Sequence, residues 1–445
     1  MKKILLFVIL IALIIVGVPY YSGMQAEHIY RDLIDSYNKT SKMGPLKIHT
    51  YERGIWSSNL VTEVPLGFLN IKFQNKILHG PIIFDKSKQT PNGLQFAMGV
   101  ILSAPDFSET PFNEIDKAFG DEDPLSCKSI IAFNRSVETF FYSPSLDYKI
   151  STGGDIHWKG LQGQFSIDKD FKIISGTISI PGLLANTTGF GGEIQGVNLQ
   201  FDQKLSDLNF WLGKTILAIN KILVNNKSLS FEVTSLKLDG ETSSQNQLLN
   251  LLWSVDLTKV VAPSGTYGPV DILIKLLNMD PDGLKLLGDL PKDQITLQQI
   301  PKPLIRQFLL KTPTIVVENT KLSLPEGNVT IDAKFSVGGP NIPETFDDSI
   351  YLSTLNGNLT AELPKQTLEN TLKQSIQQDL VKNPQYISMT PDQQSEEVKR
   401  QMAEKLDRFK KNNMLTELGD SYTIKFSVTN GKIMVEGKEI PVSEL

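Results

Sequence analysis

The chain has four histidines, His28, His49, His79 and His157, and imidazole is the side chain best suited to proton transfer near neutral pH. No two of them stand three or four residues apart, so no zinc-binding helix of the H-E-x-x-H type exists. His79 lies in "LHGPIIF", just before a Gly-Pro turn. There it reads as a base or ligand beside a glycine, or as a strand-end residue. His157, in "GGDIHWKG", follows Asp155 by two residues. On a strand the two share a face, and the carboxylate can orient the ring. No G-x-S-x-G pins a serine nucleophile, and no G-x-x-x-x-G-K-[ST] or helix-opening G-x-G-x-x-G cradles a phosphate.

"NMDPDGLKLLGD" is the best metal-like stretch. Asn278, Asp280 and Asp282 take the first, third and fifth positions of an EF-hand loop, with Gly283 at the sixth and Asp289 at the twelfth. Pro281 stiffens the fourth position, Lys285 replaces an apolar eighth, and Asp289 replaces the usual bidentate Glu. The competing reading is an Asp-Pro-Asp-Gly turn that caps a short helix. No cofactor is expected. The single cysteine, Cys127, excludes an intramolecular disulfide and Cys-based zinc ligation, and it lies too far from the N-terminus for lipid attachment.

These groups must be positioned by a chain of 445 residues, 40% apolar and 21% charged. Its 44 basic and 49 acidic residues give a net charge of −5, which argues against nucleic acid as a partner. Met1, Lys2 and Lys3 precede an unbroken apolar run from Ile4 to Val18, followed by Pro19, Tyr20 and Tyr21. Two readings compete, a cleaved signal peptide and a retained anchor. Cleavage after Gly23 or Ala26 puts bulky Tyr21 or Met24 at the −3 position, which favours the anchor. With the tyrosines the run just reaches spanning length. The lysines then stay inside and the bulk of the chain is exported.

Residues Ala26 to Ser41 read as a stalk helix, with Ile29, Tyr30, Leu33, Ile34 and Tyr37 on one stripe. Short alternating runs from Leu46 to about Gly240 read as an antiparallel meander, with a tight hairpin at Asp168-Lys169-Asp170, and Pro325-Glu326-Gly327-Asn328 is a further hairpin signal. "DILIKLL", "DGLKLLGDL" and "KPLIRQFLLK" read as short helices. Strands return at "PTIVVENTKLSL" and "NVTIDAKFSV", and "YLSTLNGNLTAEL" reads as a strand with an Asn356-Gly357 turn. Two Gln-, Glu- and Lys-rich segments make a helical hairpin, and Asn430-Gly431 marks a closing β-hairpin. The expected division is an anchor at 1–21, a stalk helix at 22–45, a β-rich region at 46–265, a short-helix region at 266–313 and a C-terminal β region at 314–445 with the helical hairpin at 365–418. The fold class is mainly β with helical insertions (α+β): elongated, curved antiparallel sheets behind a single N-terminal transmembrane helix.

Several short motifs resemble the YdgA-like family of uncharacterised envelope proteins of Gram-negative bacteria. They are Tyr51, Arg53, Gly54 and Ser58 in "YERGIWSS", His79, Gly80 and Pro81 in "LHGPIIF", and Asn430, Gly431 and Gly437 near the end. The resemblance implies an inner-membrane protein with its bulk in the periplasm. It carries no catalytic residues. More loosely, an anchor followed by a β-rich chain is similar to the AsmA-like envelope proteins, whose sheets present an apolar inner face. In the turn itself, Gly54 supplies backbone freedom, Arg53 pins a carbonyl or carboxylate, and Trp56 covers the sheet.

Two functions follow. The first is a non-enzymatic, membrane-anchored scaffold that binds lipid or an envelope protein in an apolar groove of alternate strand positions. The second is a periplasmic hydrolase or calcium-binding protein that uses His79, His157 or the Asn278–Asp289 stretch. The sequence leaves the oligomeric state open.

Overall fold

The structure, a computed structural model, describes residues 2–40, 44–66, 69–87, 91–108, 113–150, 153–226, 230–289, 300–347, 349–381 and 384–440. The chain forms two compact units, Met1–Leu229 and Ser230–Leu445. The first opens with one helix, α1 (Lys2–Thr40), continuous through Pro19. The stalk helix is therefore not a separate element. Among the described residues no helix is long and apolar enough to cross a membrane. The side chains of residues 1–14, which carry most of the expected anchor, lie outside the described ones.

Strands follow as β1 (Lys47–Arg53), β2 (Ser57–Leu66), β3 (Leu69–His79), β4 (Ile82–Asp85), β5 (Gly93–Phe96) and β6 (Gly99–Asp106). A short helix, α2 (Asn113–Ala118), precedes β7 (Ser126–Ile131), β8 (Val137–Ser143), β9 (Leu146–Lys149), β10 (Gly154–Trp158) and β11 (Leu161–Ile167). Three long strands close the unit, β12 (Ile173–Thr187), β13 (Phe190–Leu205) and β14 (Trp211–Asn226). The order β1-β2-β3-β6-β7-β8-β11-β12-β13-β14 is antiparallel throughout, and the β9–β10 hairpin pairs with the far half of β12.

α1 lies along one face of this sheet. Ala26 and Ile29 pack on Leu60, Ile77, Ile101, Ile131 and Val137, all under 4% exposed. The approach is close because the contact residues are small: a β-carbon on Gly99 would sit 2.9 Å from that of Ala26. Further along, Tyr30 reaches Thr62 and Asn38 bonds the backbone of Leu46, so the helix follows the direction of β1 and β2. The β4–β5 hairpin packs on the opposite face through Ile83 and Ala97. Fully buried Lys128 bonds Asp85 and the carbonyl of Pro91, tying the hairpin down.

The second unit is a sheet of β15 (Ser230–Gln245), β16 (Leu248–Ala262), β17 (Gly265–Tyr267), β18 (Val270–Met279), β19 (Thr314–Leu324), β20 (Gly327–Ser336), β21 (Asn356–Pro364), β22 (Leu415–Leu418), β23 (Ser421–Thr429), β24 (Lys432–Val435) and β25 (Lys438–Ile440). Helices α3 (Pro281–Asp289) and α4 (Lys302–Leu310) interrupt it after β18, and α5 (Ser349–Ser353) precedes β21. Helices α6 (Lys365–Leu380), α7 (Pro384–Ile387) and α8 (Pro391–Lys411) separate β21 from β22. Thr390 and Gln393 form a capping box at the start of α8.

Three local expectations change. "DILIKLL" is strand β18, because Ile272, Ile274 and Leu276 alternate onto one face between β16 and β19. Asn356-Gly357 opens β21 and makes no turn, since Gly357 pairs with both Phe335 and Val428. The strands from β12 to β16 run 15 or 16 residues, longer than the short runs expected. The turns at Asp168–Asp170, Pro325–Asn328 and Asn430–Gly431 do join neighbouring strands.

The first hairpin turns at Gly54, whose N–H donates to the carbonyl of Ser57 at 2.9 Å. A β-carbon on Gly54 would sit 2.6 Å from that same oxygen. Gly54→Val is therefore expected to cost about 1–3 kcal/mol, read as a lower denaturation midpoint. A variant that melts like the parent would remove the steric role of this glycine.

Candidate functional site

Seven motif residues from two separate stretches meet where α1 reaches the end of β1 and β3. Arg53, the last residue of β1, bonds the Glu27 carboxylate of α1 through both Nε, at 3.1 Å, and Nη2. Arg31 bonds the other carboxylate oxygen, one helical turn away, at 2.9 Å. Burial pushes the Glu27 carboxyl up, but the bonds from Arg53 and Arg31 outweigh it and hold it below its usual value. Bonding to Glu27 raises Arg53 in turn.

Beside this pair lies Ser58, fully buried, with its Oγ 2.9 Å from Nε2 of His79. The other ring nitrogen, Nδ1, is 2.8 Å from the carbonyl of Ile55. A carbonyl only accepts, so Nδ1 carries the proton and Nε2 accepts from the serine hydroxyl. Serine and imidazole thus stand as nucleophile and base do in a hydrolase. Three features differ from such a site. A backbone carbonyl, not a carboxylate, orients the ring. Ser58 is 0% and His79 4% exposed. A β-carbon on Gly23 of α1 would clash with the His79 ring, 2.3–2.5 Å from three of its atoms. The Tyr51 hydroxyl is buried facing Ser58 and Glu27 without meeting either at hydrogen-bond geometry. Gly80 continues the cluster: its N–H bonds Met98, and the carbonyl of Pro81 accepts from Ala97.

The remaining motif residues belong to the second unit. Asn430 and Gly431 form the β23–β24 turn with φ of 50° and 77°, and Gly437 turns β24 into β25 at φ 79°. The Asn430 N–H bonds the side chain of Asn356, and Gly431 N–H bonds the carbonyl of Leu355. Their positions serve the backbone.

His157 is on the surface, with Nδ1 2.5 Å from Asp147 and Nε2 2.7 Å from Asp155. The Asp147 bond raises its pKa. The shared face expected for Asp155 and His157 is present. His49 occupies a bulge in β1 and bonds Glu63 at 2.8 Å, and His28 lies 3.5 Å from Asp32. The Asn278–Asp289 stretch is a strand end followed by a helix, not a loop. Asp280 caps α3 by accepting from Gly283 N–H at 2.8 Å, and it also accepts from Gln307 at 2.6 Å. Among the described residues no three His, Cys, Asp or Glu side chains cluster to hold a metal. Burial pushes the Cys127 thiol up to about 12.

Both sheets also present apolar rows that are only partly covered. In the first unit Leu161, Ile180, Val197 and Ile219 line up across β11–β14, and Ile178, Leu199 and Leu217 form the next row. The rings of Phe141 and Phe165 lie 5.4 Å apart on that face. In the second unit Leu251, Leu276, Ile315 and Phe335 share one row and Trp253, Ile274, Val317 and Ala333 the next. The α6–α8 pair covers the Tyr422–Ile424 end of this face. Farther across it Leu238, Trp253 and Ile315 are 36%, 45% and 42% exposed. The opposite face of the first sheet holds a trough of 1340 Å³ with a mixed lining that includes Glu52, Lys76, Gln162, Leu102 and Phe140.

A meander sheet clasped by an N-terminal helix, with half-open apolar faces, defines the class of protein. The chain belongs to the DUF945 family, described as bacterial proteins of unknown function, whose pattern it matches over residues 1–443. No curated protein and no solved structure matches it.

Sequence reasoning missed Glu27 and Gly23 as partners of the motif residues. Glu27 reads as a solvated residue between apolar helix positions, and only the paired arginines bury it. Lys128 gave no signal either, as one charge in an otherwise ordinary strand. Trp56 does not cover the sheet and is 55% exposed.

Burial lowers the pKa of His79, against the raising bond to Ile55, and the charge of Arg53 lowers it further. The unfolded chain therefore binds a proton that the folded chain refuses. Stability from this group is complete above about pH 6.5 and is lost as pH falls through the lower folded value. Melting temperature should drop on acidification from about pH 7 to 5, and His79→Gln should flatten that slope. A slope unchanged by His79→Gln would mean the ring is not held neutral.

Proposed function

We propose that this chain is a non-enzymatic, membrane-anchored protein of the bacterial envelope that binds a lipid acyl chain on an open apolar sheet face. The observation that supports it best is the pair of apolar rows in the second unit, with Leu238, Trp253 and Ile315 substantially exposed. Alternating strand positions put one side of a sheet in a single environment. Burying an acyl chain there gains about 0.8 kcal/mol per methylene, without any polar group needing a new partner. A partner strand or helix from an envelope protein is the other occupant such a face accepts.

Location rests on the sequence. Two lysines, the Ile4–Val18 run and the Tyr20-Tyr21 pair have the order of a single span with an interfacial tyrosine belt. On this reading the span sits in the inner membrane and the bulk of the chain in the periplasm. The resemblance of "YERGIWSS" and "LHGPIIF" to YdgA-like proteins points the same way, and the likeness to AsmA-like proteins adds an architectural analogy for lipid contact.

A second reading is favoured by one observation, the Ser58–His79 hydrogen bond. A serine hydrolase would require α1 to lift from the site. Covalent labelling by a fluorophosphonate, abolished in Ser58→Ala, would establish it over the scaffold reading.

Native mass spectrometry of the detergent-extracted, gently washed full chain tests the main reading. The expected spectrum contains protein carrying phospholipid, with occupancy reduced at least about tenfold in Trp253→Glu, since a carboxylate is costly against an acyl chain. Uniformly lipid-free protein would overturn lipid binding.

A further inference from the structure

α1 leaves the first unit at one defined end of its sheet. The guanidinium of Arg53 stands 5.9 Å over the Tyr20 ring, and Gly23 is pressed against His79. Just before that point, residues 15–18 are exposed. Nothing lies within 4 Å of a β-carbon built on Gly17, and Ile15, Val16 and Val18 are 50%, 42% and 39% exposed. The turn Gly54–Trp56 is thus level with Tyr20, at the C-terminal edge of the Ile4–Val18 run.

The surface at this end is apolar. Ile55 and Trp56, in the turn, are 43% and 55% exposed. The Trp56 carbonyl accepts from the N–H of His79, which holds the turn beside the root of the β4–β5 hairpin. In that hairpin Ile82 pairs with Phe96 and Phe84 with Leu94, so all four side chains share one face. They are 54–69% exposed.

The hairpin is apolar on its outward face as well as its inward one. A hairpin between a core and water puts apolar residues inward and polar residues outward. Here the inward face carries Asp85, paired with Lys128, together with Ile83 and Ala97, while the outward face carries two phenylalanines, an isoleucine and a leucine. The buried ion pair fixes which side faces out. The inward residues meet the sheet, so the apolar outward face calls for an apolar medium on its own side.

We infer that the Gly54–Trp56 turn and the outer face of β4–β5 lie in the headgroup–acyl boundary of the bilayer that holds the N-terminal segment. The first unit then rests on the membrane surface, and Tyr20, Tyr21 and Trp56 form one aromatic belt. This inference rests on the proposed anchor, which supplies the membrane at that end.

The test uses the full chain reconstituted into vesicles of phosphatidylcholine brominated at a shallow acyl position. Trp56 fluorescence is the difference between the parent and Trp56→Phe, which separates it from Trp158, Trp211 and Trp253. Flotation of the vesicles through a density gradient reports the anchor independently. The expected result is a floating protein whose Trp56 component loses most of its intensity, while a variant with Ile82, Phe84, Leu94 and Phe96 changed to Ser floats equally but is quenched less. Flotation without quenching of Trp56 overturns the interfacial contact and leaves the anchor standing, assigning the patch to a protein partner. Failure to float overturns both.

Discussion

A carboxylate in a helix–sheet contact must be paired, and Glu27 is the group on which the first unit turns. Leaving a charge poorly paired there would cost several kcal/mol, and the docked helix meets that need by adding Arg53 of the sheet to its own Arg31. That requirement fixes the end of β1. The end of β1 fixes the turn at Gly54, the turn presents the carbonyl of Ile55, and that carbonyl sets the tautomer of His79. Only with that tautomer can Nε2 accept from buried Ser58. A row of local choices becomes one linked arrangement, because each polar group satisfies the next.

The same sheet is treated differently along its width. Under α1, small residues allow a close approach and the apolar positions are sealed. Across β11–β14 the equivalent positions continue in the same apolar pattern, but they are only partly covered. The second unit repeats the arrangement, with the α6–α8 pair sealing one end of a face whose other strands keep large apolar side chains in view. The apolar pattern runs farther than the helices that cover it.

Much of this was legible. Alternation and turn chemistry located the Asn430-Gly431 hairpin, whose left-handed positions suit Asn and Gly, and the Asp168 turn, where the Asp168 carboxylate accepts from the N–H groups of Lys172 and Ile173. The closing helical hairpin showed in its Gln-, Glu- and Lys-rich composition. The β18 strand did not show, because a short run such as "DILIKLL" satisfies both helical and strand periods and only its neighbours decide. The cluster was legible in its parts: Tyr51, Arg53, Ser58 and His79 stood out in two motifs. Their common partner, Glu27, did not, since a charged residue on a helix looks the same in sequence whether water or arginine receives it. The Asp280 stretch had the spacing of a cation loop, but an Asp-Pro pair starts a helix equally well, and the carboxylate is used to cap it.

The alignment of α1 with β1 and β2 has a mechanical consequence. Its contacts run in sequence from Arg53 at Glu27, through Thr62 at Tyr30, to Leu46 at Asn38. A pull along the helix axis from its N-terminal end loads all of them in shear, together. A sideways pull opens them one at a time, like a zipper. The unit therefore resists tension along α1 far better than tension across it.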